Sequence, residues 1–115
     1  MSQPTIDRAV FDELKETAGP EFVQELVDTF LADAPLLLDN LRNAMATGDA
    51  DGFRRAAHTL KSNSNTFGAR ALGAMARELE LSGLDAALAA TVDPVEALAV
   101  EYSQVAAALA ALRHA

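Results

Sequence analysis

The chain has no cysteine among its 115 residues. That excludes disulfides and thiol chemistry, and nothing in it suggests a secreted, cross-linked scaffold. Aromatic side chains make up only 5% of the residues, although half of all residues are hydrophobic. The apolar content is mostly Ala and Leu, a balance that favours helices over sheet. No unbroken apolar run approaches the roughly 18 residues of a membrane span, so membrane insertion is not expected. Met1-Ser2-Gln3-Pro4 lacks the basic-then-apolar order of a secretory signal, which makes the cytoplasm the expected location. There is no Gly-rich phosphate loop of the kind that binds nucleotides. Neither histidine has a glutamate three residues before it, since Arg55 precedes His58 and Ala111 precedes His114. The Glu-x-x-His pattern of metal-binding bundles is therefore missing, and neither a metal nor a cofactor is expected. A nucleophile elbow and the sheet that carries it are also missing, which removes a Ser-His-Asp hydrolase from consideration. The net charge of −8 argues against nucleic acid as a partner, because a phosphate backbone needs basic surface.

A further absence is local. Between Arg54 and Arg77 there is no Asp or Glu, while Arg54, Arg55, Lys61, Arg70 and Arg77 bring five positive charges. With −8 overall and +5 in this segment, the remainder carries −13. A basic stretch on a helix is often no more than a solvated face. Here it surrounds a histidine, and that coincidence points toward an anion or an acidic partner.

The organisation is a run of helices with clear punctuation and no internal repeat or long linker. The length suits a single domain, residues 1–115, that buries about two thirds of its unfolded surface. A short first helix is expected from Asp7, its cap, to Thr17, ending near Gly19. A long second helix is expected from Glu21 to Ala46, with Val23, Leu26, Val27, Phe30, Ala34, Leu37, Leu41 and Met45 as its apolar stripe. Pro35 should bend it or split it. Gly48 reads as a C-cap, and Asp49 or Asp51 opens a third helix that stops near Phe67-Gly68. A fourth helix is expected from Ala69 to Ser82 on Leu72, Met75, Ala76 and Leu79, ending near Gly83. Residues 85–92 show no pattern that places them. The last helix starts strongly, with Asp93 as N-cap, Pro94 in first position and Glu96 three after the cap. Its stripe is Val95, Leu98, Tyr102, Val105, Leu109 and Leu112. Amphipathic helices with short connections make an antiparallel bundle. The expected fold is all-α: an antiparallel four-helix bundle with a short additional N-terminal helix.

In the third helix, Phe53, Ala57, Leu60, Ser64 and Phe67 follow one another at spacings of one helical face. His58 falls roughly 140° from the centre of that stripe, so it stands in water on a rigid element. Lys61 is one turn further on, about 60° around the helix, and Arg54 is one turn before. If the third and fourth helices form a hairpin turning at Gly68-Ala69, His58 lies level with Glu80, and Lys61 with Arg77. Glu80 follows core residue Leu79 and sits at the edge of the buried face. It is either an ordinary surface glutamate or an acceptor for one ring nitrogen of His58. His114, beside Arg113, suits a cation near a helix C-terminus and has no expected function.

The stretch Ala57-His58-Thr59-Leu60-Lys61-Ser62, followed by Gly68-Ala69 and by Leu72 through Leu79-Glu80, resembles the signature of histidine-containing phosphotransfer (HPt) domains of bacterial multistep phosphorelays. Gly19-Pro20-Glu21-Phe22, Phe30-Leu31-Ala32-Asp33-Ala34-Pro35 with Leu37, Leu38 and Leu41, and Gly48-Asp49 extend the likeness over nearly the whole chain. One position departs. The family usually has Gly where this chain has Ser62, which implies a slightly more crowded site. The resemblance implies a phosphohistidine carrier, not an enzyme with its own turnover, that shuttles a phosphoryl group between receiver-domain aspartates through His58. Lys61 would stabilise the phosphoryl charge, and Glu80 is the candidate for orienting the imidazole. Arg54, Arg55, Ser62, Asn65 and Arg77 would meet the partners. Those partners would be receiver domains of response regulators and hybrid histidine kinases, met by a monomer. The rival reading is a helical-bundle adaptor that docks receivers or other proteins without carrying phosphate.

Overall fold

The computed structural model describes residues 5–113, and His114 lies outside them. Five helices follow one another: α1 (Arg8–Ala18), α2 (Pro20–Thr47), α3 (Ala50–Thr66), α4 (Arg70–Ala89) and α5 (Pro94–Arg113). The described residues contain no strand. The fold is an all-helical bundle.

Helix starts follow the capping chemistry. Asp7 Oδ1 accepts from Ala9 N at 3.0 Å and opens α1. Of the two candidates for α3, Asp49 is the cap, its Oδ1 accepting from Gly52 N at 2.9 Å. Asp93 Oδ1 accepts from Val95 N at 2.9 Å and opens α5. Each carboxylate satisfies a backbone N–H that has no partner inside its helix. Gly48 ends α2 in the left-handed conformation, with φ 73°.

Two interruptions behave differently from each other. Pro35 does not split α2, which runs unbroken from Pro20 to Thr47. A proline inside a helix deprives the carbonyl four residues earlier of its N–H partner. That carbonyl belongs to Leu31, and the hydroxyl of Tyr102 on α5 donates to it at 3.4 Å. Gly83, in contrast, leaves the helical region altogether, with φ 84° and ψ 176°. The fourth helix is thus broken where it was expected to end. It then resumes through Ala89, because Leu84 and Ala87 have core to cover.

The α3 stripe is buried as its spacing predicts: Phe53, Ala57, Leu60, Ser64 and Phe67 all lie in the interior. Ser64 is the one buried polar residue of the described core, and its hydroxyl donates back to Leu60 O at 2.6 Å. In α2 the stripe shifts slightly. Leu38 and Ala44 are buried with Val23, Val27, Phe30, Ala34 and Leu41, whereas Leu26, Leu37 and Met45 only flank the core. In α4, Met75 likewise only flanks the core, while Leu72, Ala76 and Leu79 are buried. In α5, Val95, Leu98, Val105 and Leu109 are buried, and Tyr102 and Leu112 flank them. This helix is long and apolar enough, over Pro94–Leu112, to cross a membrane by length and composition. The absence of a long apolar run thus understates it, since only Glu96 and Glu101 interrupt it with charge. The same stripe is the core-facing side of α5 in the bundle.

Cross-links show how neighbouring helices run. Leu31 and Arg42 of α2 meet Tyr102 and Glu96 of α5, so these two helices are antiparallel. The most extensive packing joins α3 to α4. Their hairpin turns at Gly68, whose φ of 80° admits glycine readily. A Cβ there would sit 2.8 Å from the backbone oxygen of Asp7. The closeness has a purpose, because Asp7 N donates to Gly68 O at 2.8 Å and ties α1 onto the turn.

Candidate functional site

His58 lies on the outer face of α3, its side chain 55% exposed. It is held there because Ala57 on one side and Leu60 on the other turn into the core. Across the hairpin, Leu79 is buried and Glu80 is at the boundary, its side chain 14% exposed. The two helices approach closely partly because Gly73 has no side chain. A Cβ at Gly73 would fall 2.1 Å from Asn65 Oδ1, so the Asn65 amide lies over that glycine.

Three side chains converge. Glu80 Oε2 is 2.6 Å from His58 Nδ1. Lys61 Nζ donates to Glu80 Oε1 at 2.7 Å. One carboxylate therefore bridges an imidazole and an ammonium. The pairing of His58 with Glu80 agrees with the hairpin register. Lys61, expected level with Arg77, reaches instead to Glu80, since its flexible four-carbon stem spans the offset. The Lys61 ammonium holds the Glu80 carboxyl below its ordinary range, burial opposes that shift, and His58 adds to it.

The protonation pattern follows. At neutral pH Glu80 is a carboxylate and can only accept hydrogen bonds. A neutral imidazole facing that carboxylate carries its hydrogen on Nδ1, and Nε2 then keeps its lone pair. An exposed imidazole with a free Nε2 is a nucleophile at a fixed position. Lys61, with 23% of its side chain exposed, lies one turn away.

The remaining predicted residues sit around this cluster. Arg54, Arg55, Ser62, Asn65 and Arg77 are all exposed. Asn65 also carries the packing against Gly73 described above. The basic segment is less uniformly positive than its composition suggests. Arg54 Nη2 lies 2.8 Å from Asp51 Oδ1, and Arg55 Nε lies 3.1 Å from Asp51 Oδ2. Arg70 pairs with Asp7 at 2.9 Å. Adding Asp51, Asp7 and Glu80 to the five cations reduces +5 to +2. Among the described residues, Arg77 is the one cation of the segment without an ion pair. The hydrogen bond from Arg54, followed by the charge of Arg55, lowers the Asp51 pKa. Asp51 was legible as an i,i+3 and i,i+4 partner. Asp7 was not, because this capping residue ahead of α1 reaches Arg70 only in the tertiary structure. No group of three or more His, Cys, Asp or Glu side chains among the described residues is placed to hold a metal ion.

Residues 25–115 match the Hpt domain family. The structure is similar to the crystal structure of histidine-containing phosphotransfer protein B (HptB) from Pseudomonas aeruginosa PAO1. The TM-score is 0.84, with 30% sequence identity over 98% of this chain and 97% of that one. No curated protein sequence matches the chain. A family match over most of the chain, a shared fold and an exposed histidine on the central hairpin agree, and the chain belongs to the Hpt domain family, the phosphohistidine carriers of phosphorelays.

Proposed function

We propose that His58 is the phosphoryl acceptor and that the chain is a single-domain phosphocarrier between receiver aspartates. The observation that carries this reading is the 2.6 Å contact of Nδ1 with Glu80 on a side chain that is 55% exposed. It anchors one ring nitrogen and leaves the other for attack. In the forward step the Nε2 lone pair attacks the phosphorus of an aspartyl phosphate. A P–N bond forms, the P–O bond to the receiver breaks, and the receiver recovers its carboxylate. Onward transfer reverses these bonds with a second receiver. Positive charge that develops on the ring is offset by Glu80 through Nδ1–H. Catalysis of this kind is mostly positioning and charge stabilisation. Lys61, which shares Glu80 with His58, is the cation placed to meet the phosphoryl oxygens once it leaves that carboxylate.

Mg²⁺ and the acidic pocket belong to the receiver, so the carrier has no turnover of its own. In this reading α2 to α5 form an antiparallel four-helix bundle and α1 is a short appended helix. The carrier works as a cytoplasmic monomer, binding neither nucleic acid nor membrane. Arg54, Arg55, Ser62, Asn65 and Arg77 frame the docking face. With a local charge of only +2, docking should depend moderately on salt, since exposed charges are screened over about 10 Å at 0.1 M. A transient complex suits a carrier that must release one receiver to reach the next.

The test is incubation with a phosphorylated receiver. Acid-labile, base-stable label should appear on the chain and be absent from His58→Gln. Label at the unaltered level on that variant overturns the assignment. A receiver complex that forms tightly, insensitive to salt and without label transfer, favours an adaptor.

A further inference from the structure

We infer that the Ser62 hydroxyl is a ligand of the phosphoryl group on His58, a direct contact that stabilises the phosphorylated carrier. Ser62 follows His58 by four residues on α3, so the two side chains are neighbours, with Cβ atoms about 5–6 Å apart. Side chains on a helix tilt toward its N-terminus, and Ser62 therefore leans onto the turn that carries His58. Helical spacing sets Lys61 about 60° to one side of His58 and Ser62 about 40° to the other. Lys61 and Glu80 occupy the α4 flank of the ring, joined at 2.7 Å. Ser62 stands exposed on the opposite flank. A phosphoryl group on Nε2 then has a cation on one side and a hydroxyl on the other.

The four hydroxyls of α3 are not alike. Thr59 donates to Arg55 O at 3.0 Å, Ser64 to Leu60 O at 2.6 Å and Thr66 to Ser62 O at 3.0 Å. Each bonds to the carbonyl four residues before it, a common partner of a hydroxyl inside a helix. Ser62 makes no such bond to His58 O, and its hydroxyl has no partner among the described residues. It exchanges only with water. Other donors nearby are committed: Arg54 and Arg55 to Asp51, and Asn65 to its place over Gly73. Lys61 must first break its contact with a carboxylate whose side chain is only 14% exposed. Ser62 has no protein contact to break. Its O–H rotates to suit an acceptor, and a phosphoryl group offers three strong acceptor oxygens. The glycine usual at this position in the family pattern would leave that side of the phosphoryl group to water.

This role rests on the phosphocarrier reading and adds a ligand to it. The measurement is the equilibrium of phosphoryl transfer between a phosphorylated receiver and the carrier, at concentrations where few complexes persist. That equilibrium compares the free proteins, so a docking contact changes the rates in both directions and leaves it unmoved. Ser62→Ala removes the hydroxyl and suits a helix. It should shift the equilibrium toward the receiver by about three- to tenfold, the size of one hydrogen bond made in competition with water. Ser62→Gly should shift it in the same direction, because it too lacks the hydroxyl. An unmoved equilibrium in Ser62→Ala, whatever happens to the rates, overturns the inference and leaves Ser62 a docking residue only. A shift confined to Ser62→Gly overturns it as well, since bulk and not the hydroxyl would then be acting. Helicity by circular dichroism confirms that each variant is folded. Label at the unaltered level on His58→Gln removes the carrier assignment itself. Label confined to His58, with an equilibrium indifferent to Ser62→Ala, removes only the Ser62 contact.

Discussion

The seam between α3 and α4 and the seam between α2 and α5 are built from opposite materials. At the first, Gly73 lets two backbones come close, and polar groups reach across: Asn65 over Gly73, Glu80 to His58 and Lys61. At the second, bulk meets bulk. Tyr102 packs edge-on against Phe30 at 5.8 Å, and α5 turns Val95, Leu98, Val105 and Leu109 into the core. Close approach through small residues fixes distances between side chains of different helices. Burial of bulky residues supplies stability without demanding one exact spacing. Chemistry thus sits on the tight seam, and much of the hydrophobic mass on the loose one.

Substitutions can break that comparison. The largest effect belongs to His58→Gln, which should abolish phosphoryl acceptance and leave the melting temperature nearly unchanged, because the side chain is exposed and outside the core. A large fall in melting temperature would mean that the tight seam also carries stability through the histidine. Next is Leu98→Ala on the other seam. Leu98 is fully buried, and its truncation should cost about 2–5 kcal/mol in chemical denaturation. Labelling per folded molecule should be unchanged; a loss there would show the two seams to be coupled.

Gly68→Ala tests the turn that closes the tight seam. Its φ of 80° and the 2.8 Å approach to Asp7 O leave no room for a methyl group, and a cost of about 1–3 kcal/mol is expected. Tyr102→Phe keeps the ring and removes the hydroxyl from Leu31 O. The contact is long at 3.4 Å, so the loss should be near the lower end of about 0.5–1.5 kcal/mol. Burial raises the Tyr102 pKa, and the substitution should remove that alkaline titration.

The smallest effect concerns pH. The Glu80 carboxyl titrates below its ordinary range, so it binds a proton less readily when folded. Its contribution to stability is present above the unfolded carboxylate pKa and fades as pH falls through the folded one. Glu80→Gln should lower stability near neutrality and flatten the curve on the acid side, so that the two proteins converge as pH falls. A difference that appears only at alkaline pH would contradict the sign.

Much of this was legible along the chain. The α3 stripe put His58 outside, and the hairpin register put Glu80 opposite it, because helical spacing and a glycine turn are local properties. Asp93, Pro94 and Glu96 announced α5 for the same reason. Other features were hidden. Residues 84–89 return to helix after Gly83 because Leu84 and Ala87 find core, which no local pattern announces. Pro35 was expected to disturb α2, and its outcome depends on a tyrosine 67 positions later. The segment from Arg54 to Arg77 looked like a field of five charges, yet one of its partners, Asp7, comes from the far end of the chain.

The sequence by itself determined the helices, their buried faces and the exposure of His58, since caps, breakers and periodicity act within a few residues. Only the tertiary structure decided what the histidine touches. Hydrogen bonds need atoms within about 3 Å, and a register read from residue numbers places side chains only to about one helical turn. That uncertainty exceeds the difference between Lys61 facing Arg77 and Lys61 holding Glu80. Packing across Gly73 sets the distance between the two helices, and with it which nitrogen of His58 is left free.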